Sequence, residues 1–236
     1  MDGPEQRTFY PIFLDLADKD CLVVGGGETA ERKVRTLLEC GARVTVVSPD
    51  LSDGLRDLQS RGLLVTHRRI FRCEDVTDRF LVIGATDENE VNRAVFRAAT
   101  AVGALCNIVD APDLCDFIVP SVVRRGSLQI AISTGGKSPA YAKRVREKLE
   151  DTFGPEYGAF VDLLGRLRAE VQRRYQKDGR KRRKIWNDLI NSDLPSLIRQ
   201  GKWELVEARV SRCTNLEICV VRNEIENAEI AGHGKG

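Results

Sequence analysis

Four stretches of this sequence carry residue types that could do chemistry. They are Gly25-Gly26-Gly27-Glu28-Thr29-Ala30, Thr86-Asp87, Asn107 to Asp110, and Thr134-Gly135-Gly136-Lys137-Ser138-Pro139. The first fits G-x-G-x-x-A, a turn that brings backbone N–H groups and a helix N-terminus up to a pyrophosphate. The first glycine permits the tight turn, the second allows close approach, and Ala30 lets the helix pack on its strand. A glycine run alone also fits an ordinary strand–helix turn, so its flanks decide. An apolar strand, Cys21 to Val24, runs into it, and Ala30, Val34, Leu37 and Leu38 follow at helical spacing before Gly41. The reading is a nucleotide site. Asp110 is a carboxylate able to accept a proton. The glycine pair and Lys137 before a helix start suit an anion, although a plain capped helix start reads the same way.

The elements that must position these groups follow in a regular rhythm. Strand two, Ala42 to Val47, ends in Ser48-Pro49-Asp50, where dinucleotide folds often carry an acid for the adenosine ribose. Ser48 takes that place, Asp50 follows two residues later, and no arginine stands immediately at the tip, which favours NAD over NADP. A short helix with Leu51, Leu55 and Leu58 on one face ends at Gly62. Strand three covers Leu63 to Thr66 and strand four Phe80 to Ala85. A helix turning Val91, Val95, Ala98 and Val102 inward stops at Gly103, and strand five spans Ala104 to Val109. Strands alternating with helices imply an α/β, Rossmann-like, doubly wound parallel sheet, with ligands outside the carboxyl ends of its strands. The apolar lead-in from Phe9 to Leu16 is expected against the sheet edge.

From Phe117 the rhythm changes. Phe117 to Val123 and Ser127 to Ser133, joined at Arg124-Arg125-Gly126, read as a hairpin. Ser138 as cap and Pro139 at the first helical position open a helix through Leu149. Residues 156–175 form an amphipathic helix with Tyr157, Phe160, Val161, Leu164, Leu167, Val171 and Tyr175 on one face. Lys177 to Lys184 is a basic run, and Leu194, Leu197 and Ile198 mark a further short helix. Beyond Arg212 the sequence carries no signal, and His233 sits in a glycine-rich tail.

Composition excludes several classes. In 236 residues, 42% are hydrophobic and 31% charged, which is globular, and no apolar run approaches the length of a membrane span. The polar N-terminus has no signal-peptide core. A net charge of +2 argues against nucleic acid as partner, and the basic run lacks interleaved aromatics. The seven cysteines are scattered and odd in number, as in reduced thiols of a cytoplasmic protein. Cys106 with Cys115, or Cys213 with Cys219, are poor metal candidates, and no resident metal is expected.

Six motifs in one order now matter together: Phe9-Tyr-Pro-Ile-Phe-Leu14, Val23 to Lys33, Ala85-Thr-Asp-Glu-Asn-Glu-Val-Asn92, Asn107-Ile-Val-Asp-Ala-Pro112, Phe117-Ile-Val-Pro-Ser121 and Ser133 to Pro139. Over about residues 9–200 the chain resembles the precorrin-2 dehydrogenase and sirohydrochlorin ferrochelatase family, the N-terminal module of sirohaem synthases. The resemblance implies NAD-dependent oxidation of precorrin-2 to sirohydrochlorin, toward sirohaem or cobalamin. In some members, transient Fe²⁺ or Co²⁺ is then inserted. It also implies a homodimer and four regions. These are an NAD-binding domain at 1–113, a dimerisation segment exchanged between subunits at 114–150, a helical domain at 151–212, and a tail at 213–236. With the chain ending at Gly236, no methyltransferase module is expected.

Carried over by motif, Gly25, Gly26, Gly27, Glu28, Thr29 and Ala30 would hold the pyrophosphate. Ser48 and Pro49 would meet the adenosine, and Thr86, Asp87 and Asn107 would line the nicotinamide side. Asp110 would be the catalytic carboxylate, with Asp113 or Asp116 as alternatives. Arg124, Arg125, Thr134, Gly135, Gly136, Lys137 and Ser138 would receive substrate carboxylates, with Lys143 and Arg144 nearby. A competing reading is an NAD-sensing regulatory module without catalysis, since fold does not fix function. Such a sensor would not need Asp110 or the second glycine–lysine loop.

Overall fold

Alternate residues of the first strand, β1 (Asp20–Val24), serve two different cores, as period-two geometry dictates. Cys21 and Val23 join one cluster and Leu22 and Val24 another, all essentially without solvent exposure. The computed structural model describes residues 8–216. The readings placed on Cys219, His233 and the rest of the tail therefore lie outside the described residues.

β1 is flanked by parallel partners in a five-stranded sheet of order β3-β2-β1-β4-β5, formed by β2 (Arg43–Val47), β3 (Val65–His67), β4 (Leu81–Gly84) and β5 (Leu105–Ile108). Helices α1 (Glu28–Glu39) and α2 (Asp53–Ser60) cover one face through Ala30, Val34, Leu37, Leu55 and Leu58. α3 (Asn89–Val102) covers the other through Val95 and Ala99. Helices on both faces of a parallel sheet make it the doubly wound, Rossmann-like fold. The register sets Val47, Val24, Gly84 and Ile108 side by side, so all four strands discharge their loops at one edge.

Three local expectations shift. Strand three begins at Val65, because Gly62 takes a left-handed φ of 69° and Leu63 N donates to Leu58 O at 3.1 Å. Leu63 thus belongs to the C-terminal turn of α2. On α3 the inward face is Asn92, Val95 and Ala99, while Val102 is 52% exposed. The lead-in takes no strand pairing: Leu16 is buried, whereas Tyr10, Ile12, Phe13 and Leu14 are exposed.

The chain divides between Val119 and Pro120. Phe117, expected in the hairpin, instead packs on the first unit's core. The second unit opens with an antiparallel hairpin, β6 (Ser121–Arg125) and β7 (Leu128–Ile132), packed on α4 (Pro139–Thr152) and α5 (Glu156–Arg174). α6 (Gly179–Ile190), α7 (Leu194–Arg199) and α8 (Trp203–Thr214) complete it around a core that includes Phe160, Leu163, Leu167, Val171, Leu189 and Val206. Leu163 replaces the expected Leu164 as the buried contact of α5, since Leu164 is only half-buried. Glu156 is buried at the start of α5 and accepts from Arg199 Nε at 2.9 Å, which fastens α5 to α7.

Candidate functional site

The three glycines after β1 do different work. Gly25 has φ of 124°, and a Cβ there would lie 2.3 Å from Ala85 O. A Cβ on Gly26 would meet Asp50 O at 1.8 Å and Ser48 Oγ at 2.7 Å. Both are glycine because neighbouring loops cross directly over them. Ser52 N donates to Gly26 O (2.7 Å) and Gly25 N to Val47 O (3.0 Å), which locks the crossing. Gly27 is the opposite case: no heavy atom lies within 4 Å of its Cβ position. It is the N-cap of α1, with extended backbone and no side chain capping the helix. Of the three, only Gly27 faces open space, the cradle a diphosphate requires at a helix N-terminus. Glu28 beside it is exposed, Thr29 half-buried and Ala30 buried against the sheet; Ser48 is buried beneath the turn and Pro49 exposed.

The turn is braced by α2. Ser52 Oγ donates to Glu31 Oε2 at 2.7 Å, while Arg35 Nη2 donates to Oε1 at 2.8 Å. The hydrogen bond from Ser52, then that from Arg35, holds the Glu31 carboxyl below its ordinary range.

At the ends of β1, β4 and β5 lies a cavity of about 320 Å³, whose wall includes Thr29, Thr86, Asp87, Arg93, Asp110 and Leu114. That is the lower end of small-molecule sites. Asp110 follows β5 directly, is exposed, and takes a left-handed φ of 59°. Aspartate tolerates that conformation better than most residues, at a cost of roughly 1 kcal/mol. Opposite it, Asn92 clamps the loop after β4. Its Nδ2 donates to Thr86 O (2.9 Å), and Thr86 Oγ1 lies 3.1 Å from Asn92 Oδ1. Gly84 makes room, since a Cβ there would press on Ile108 and approach Asn92 Oδ1 to 3.1 Å. Asn92 is 6% exposed, and sequence periodicity passed over it. Its spacing from Thr86, which puts it on the first turns of α3, was the available signal.

Three expected site residues stand elsewhere. Asn107 is buried in β5 and its Nδ2 donates to Phe117 O at 2.9 Å, so its amide pins the following loop and is not on the cavity wall. Asp116 Oδ2 accepts from Cys106 N at 2.8 Å, while its own N donates to Cys106 O, which extends the sheet edge. Asp116, an expected alternative base, is not on the cavity wall. Arg125 Nε donates to Phe153 O (2.7 Å) and Nη2 to Glu150 O (3.3 Å), so its guanidinium closes the C-terminal end of α4. Lys33, by contrast, was overlooked. It is half-buried on α1, where burial and then Arg32 push its ammonium down while Asp110 and Cys115 pull it up. Nothing local in the sequence placed it near Asp110.

In the second unit, Gly135 and Gly136 are left-handed (φ 62° and 80°) with no atom within 4 Å of either Cβ position. Thr134 Oγ1 accepts from Ser138 N (3.1 Å), and Ser138 Oγ accepts from Tyr141 N (3.3 Å) as the cap of α4. Lys137 and Arg124 are exposed on this unit. In the basic run, Arg182 Nη1 donates to Tyr175 O and Gln176 O (both 2.6 Å), and Lys181 lies 4.5 Å from the Tyr175 ring centre. Those two fasten α5 to α6.

Three family models match the chain in succession. One, described as NAD(P)-binding, covers residues 12–121. A sirohaem biosynthesis protein central region covers 125–152, and a sirohaem synthase dimerisation region covers 156–212. The dimerisation description thus falls C-terminal to the 114–150 stretch expected to carry it. The chain is 40% identical to a sirohaem synthase of Nitrosomonas europaea over 195 residues, 82% of this chain and 41% of that one. It is 38% identical to a sirohaem synthase of Methylobacillus flagellatus over 228 residues, 96% of this chain and 48% of that one. The chain therefore spans less than half the length of these relatives. Among solved structures it resembles SirC, a precorrin-2 dehydrogenase, with a TM-score of 0.70 and 27% identity over 85% of this chain and all of that one.

Proposed function

We propose that the chain is a member of the sirohaem synthase family and that it oxidises precorrin-2 to sirohydrochlorin with NAD. The observation that carries this reading is one cavity wall shared by Thr29, on the turn that opens at Gly27, and Asp110. The reaction removes one hydride and one proton from the reduced tetrapyrrole. Bound NAD supplies the hydride acceptor, giving NADH. The N–H groups at the start of α1 hold the diphosphate through the open face at Gly27. Thr86, fixed by Asn92, forms the wall beside the reacting carbon, and Asp110 accepts the proton. Insertion of Fe²⁺ or Co²⁺ into the product also releases pyrrole N–H protons, and the same carboxylate can receive them. At the tip of β2, Ser48-Pro49-Asp50, no arginine stands ready for a 2′-phosphate, which favours NAD over NADP.

Anaerobic incubation with precorrin-2 and NAD tests the reading through the sirohydrochlorin spectrum and NADH formation. Asp110→Asn should bind NAD normally and lose most turnover. Wild-type turnover by that variant would remove Asp110 from its role. Absence of turnover in the wild type, with NAD bound, would instead favour a nucleotide sensor. We further propose a homodimer, with the hairpin and α4 interlocked between subunits. The dimerisation description of 156–212 supports the dimer itself, and the exposed ring of Tyr141 on α4 supports the interlock. A stable monomer in sedimentation at micromolar protein would count against it. None of the six described cysteines is joined in a disulfide, which fits a cytoplasmic setting.

A further inference from the structure

We propose that Arg93 receives a peripheral carboxylate of the tetrapyrrole at the cavity wall and sets how its edge lies against Asp110. The proposal rests on the dehydrogenase reading above. The charges of the wall motivate it. Asp87 and Asp110 both line the cavity, and among the described residues Arg93 is the one cationic side chain that does. A polycarboxylate entering there meets two negative groups, so it needs a compensating positive one.

Arg93 is free to serve. Several other arginines of the same unit are committed, among them Arg69 to Asp75 at 2.6 Å, Arg43 to Asp20 at 2.6 Å, and Arg79 to Thr45 Oγ1 at 3.0 Å. Among the described residues Arg93 has no ion pair and no side-chain hydrogen bond, and it is exposed. Its backbone is nonetheless fixed, because Asn92 beside it is buried and tied to Thr86. The result is an exposed charged fork beside an anchored residue.

Two anionic groups could claim that fork, the diphosphate of NAD and the substrate's carboxylates. The open face at Gly27 already supplies the diphosphate with a helix N-terminus. The nicotinamide end of the cofactor carries no acid. A carboxylate is also the planar acceptor that a guanidinium pairs with through two parallel hydrogen bonds. A cavity of about 320 Å³ admits an edge of a tetrapyrrole with its side chains, not the whole macrocycle. One carboxylate on that edge is what Arg93 would hold.

The test uses the full chain with Arg93→Ala, Arg93→Gln and Arg93→Lys. Turnover is measured against precorrin-2 and NAD, and sirohydrochlorin and NAD are each titrated at equilibrium. An exposed side chain with no partners should leave the melting temperature unchanged. Arg93→Ala and Arg93→Gln should raise KM for precorrin-2 and Kd for sirohydrochlorin by about 10- to 100-fold. NAD affinity should stay within about twofold and kcat should fall far less than KM rises. Arg93→Lys should fall between, because it keeps the charge and loses the fork. Unchanged sirohydrochlorin affinity in both neutral variants overturns the proposal, even where turnover is normal. So does a loss confined to NAD, which would assign Arg93 to the cofactor. Wild-type protein that binds NAD and sirohydrochlorin without oxidising precorrin-2 overturns the dehydrogenase reading itself.

Discussion

Replacing Gly27 by aspartate should move stability and cofactor binding in opposite directions. The backbone there is extended (φ −82°, ψ −175°), and no heavy atom lies within 4 Å of the Cβ position. A side chain therefore enters without strain or clash. Aspartate is a better N-cap than glycine by a few tenths of a kcal/mol, and losing glycine's unfolded-state freedom adds roughly 0.4–1 kcal/mol. Glu28 and Glu31 already occupy the first turn, and their repulsion offsets part of this gain. The net is stabilisation of about 0.5–1 kcal/mol, a rise in Tm of roughly 1–4 °C for a chain this size. For NAD the sign reverses. Two unit charges 4 Å apart interact by about 4 kcal/mol at an effective dielectric of about 20. Half of that, as repulsion from the diphosphate, weakens binding by roughly 30-fold. Thermal unfolding and titration calorimetry on one preparation read both effects. Gly26→Ala is the contrast, since its Cβ would meet Asp50 O at 1.8 Å. Overpacking against backbone should destabilise it by about 1–3 kcal/mol or more. A folded Gly27→Asp variant that binds NAD as tightly as wild type would refute the placement of the diphosphate.

Other consequences can be checked directly. Asp87 shares the cavity with Asp110, so the two asparagine variants rank the candidate bases by kcat. Asp110→Asn should lose about 10²- to 10⁴-fold and Asp87→Asn less than about tenfold; the reverse order reassigns the base. Asn92→Ala leaves Thr86 O without its donor, so chemical denaturation should show a loss of about 1–3 kcal/mol. The same variant should speed hydrogen exchange at Glu88, whose N–H donates to Thr86 Oγ1. Acid stability follows from three carboxylates held below their ordinary range: Asp75 chiefly by the hydrogen bond from Arg69, Asp20 by that from Arg43, and Glu31 by that from Ser52. Groups with lowered folded pKa contribute stability fully above their unfolded values of about 4 and lose it as pH falls through the folded ones. Urea midpoints should therefore drop below about pH 4, and Asp75→Asn should flatten that drop; an unchanged acid limb would show that the pair contributes nothing.

The sequence by itself determined the architecture of the first unit. Short, nearly continuous apolar runs at Cys21–Val24, Ala42–Val47 and Phe80–Ala85, separated by helical periods with glycine stops, specify alternating buried strands and helices. The handedness and twist of L-amino-acid strands then leave few ways to wind them. Leu51, Leu55 and Leu58 are all buried, because an apolar face at helical spacing is a local property that needs no knowledge of its partner. The glycine fingerprint, Asp87 and Asp110 were legible at the correct sheet edge for the same reason: each follows directly from the end of a strand.

What only the tertiary structure decided is which polar groups remain available. Gly25 and Gly26 are glycine because Ala85 and Asp50 come in from other loops, so Gly27 alone faces outward. The Asn107 amide, the Asp116 carboxylate and the Arg125 guanidinium have the chemistry of site residues. Each is taken by a backbone partner ten to twenty-eight positions away in the chain. Asn92 turned inward, at the expense of Val102, because Thr86 satisfies its amide and makes burying it affordable. Arg93 is the converse case: it lines the cavity with Asp87 and Asp110, and among the described residues no side chain pairs with it. Hydrophobic periodicity is set by residues a few positions apart. Hydrogen-bond and charge satisfaction depend on whatever the fold brings close, and a buried donor or acceptor must find a partner wherever that partner lies in the chain.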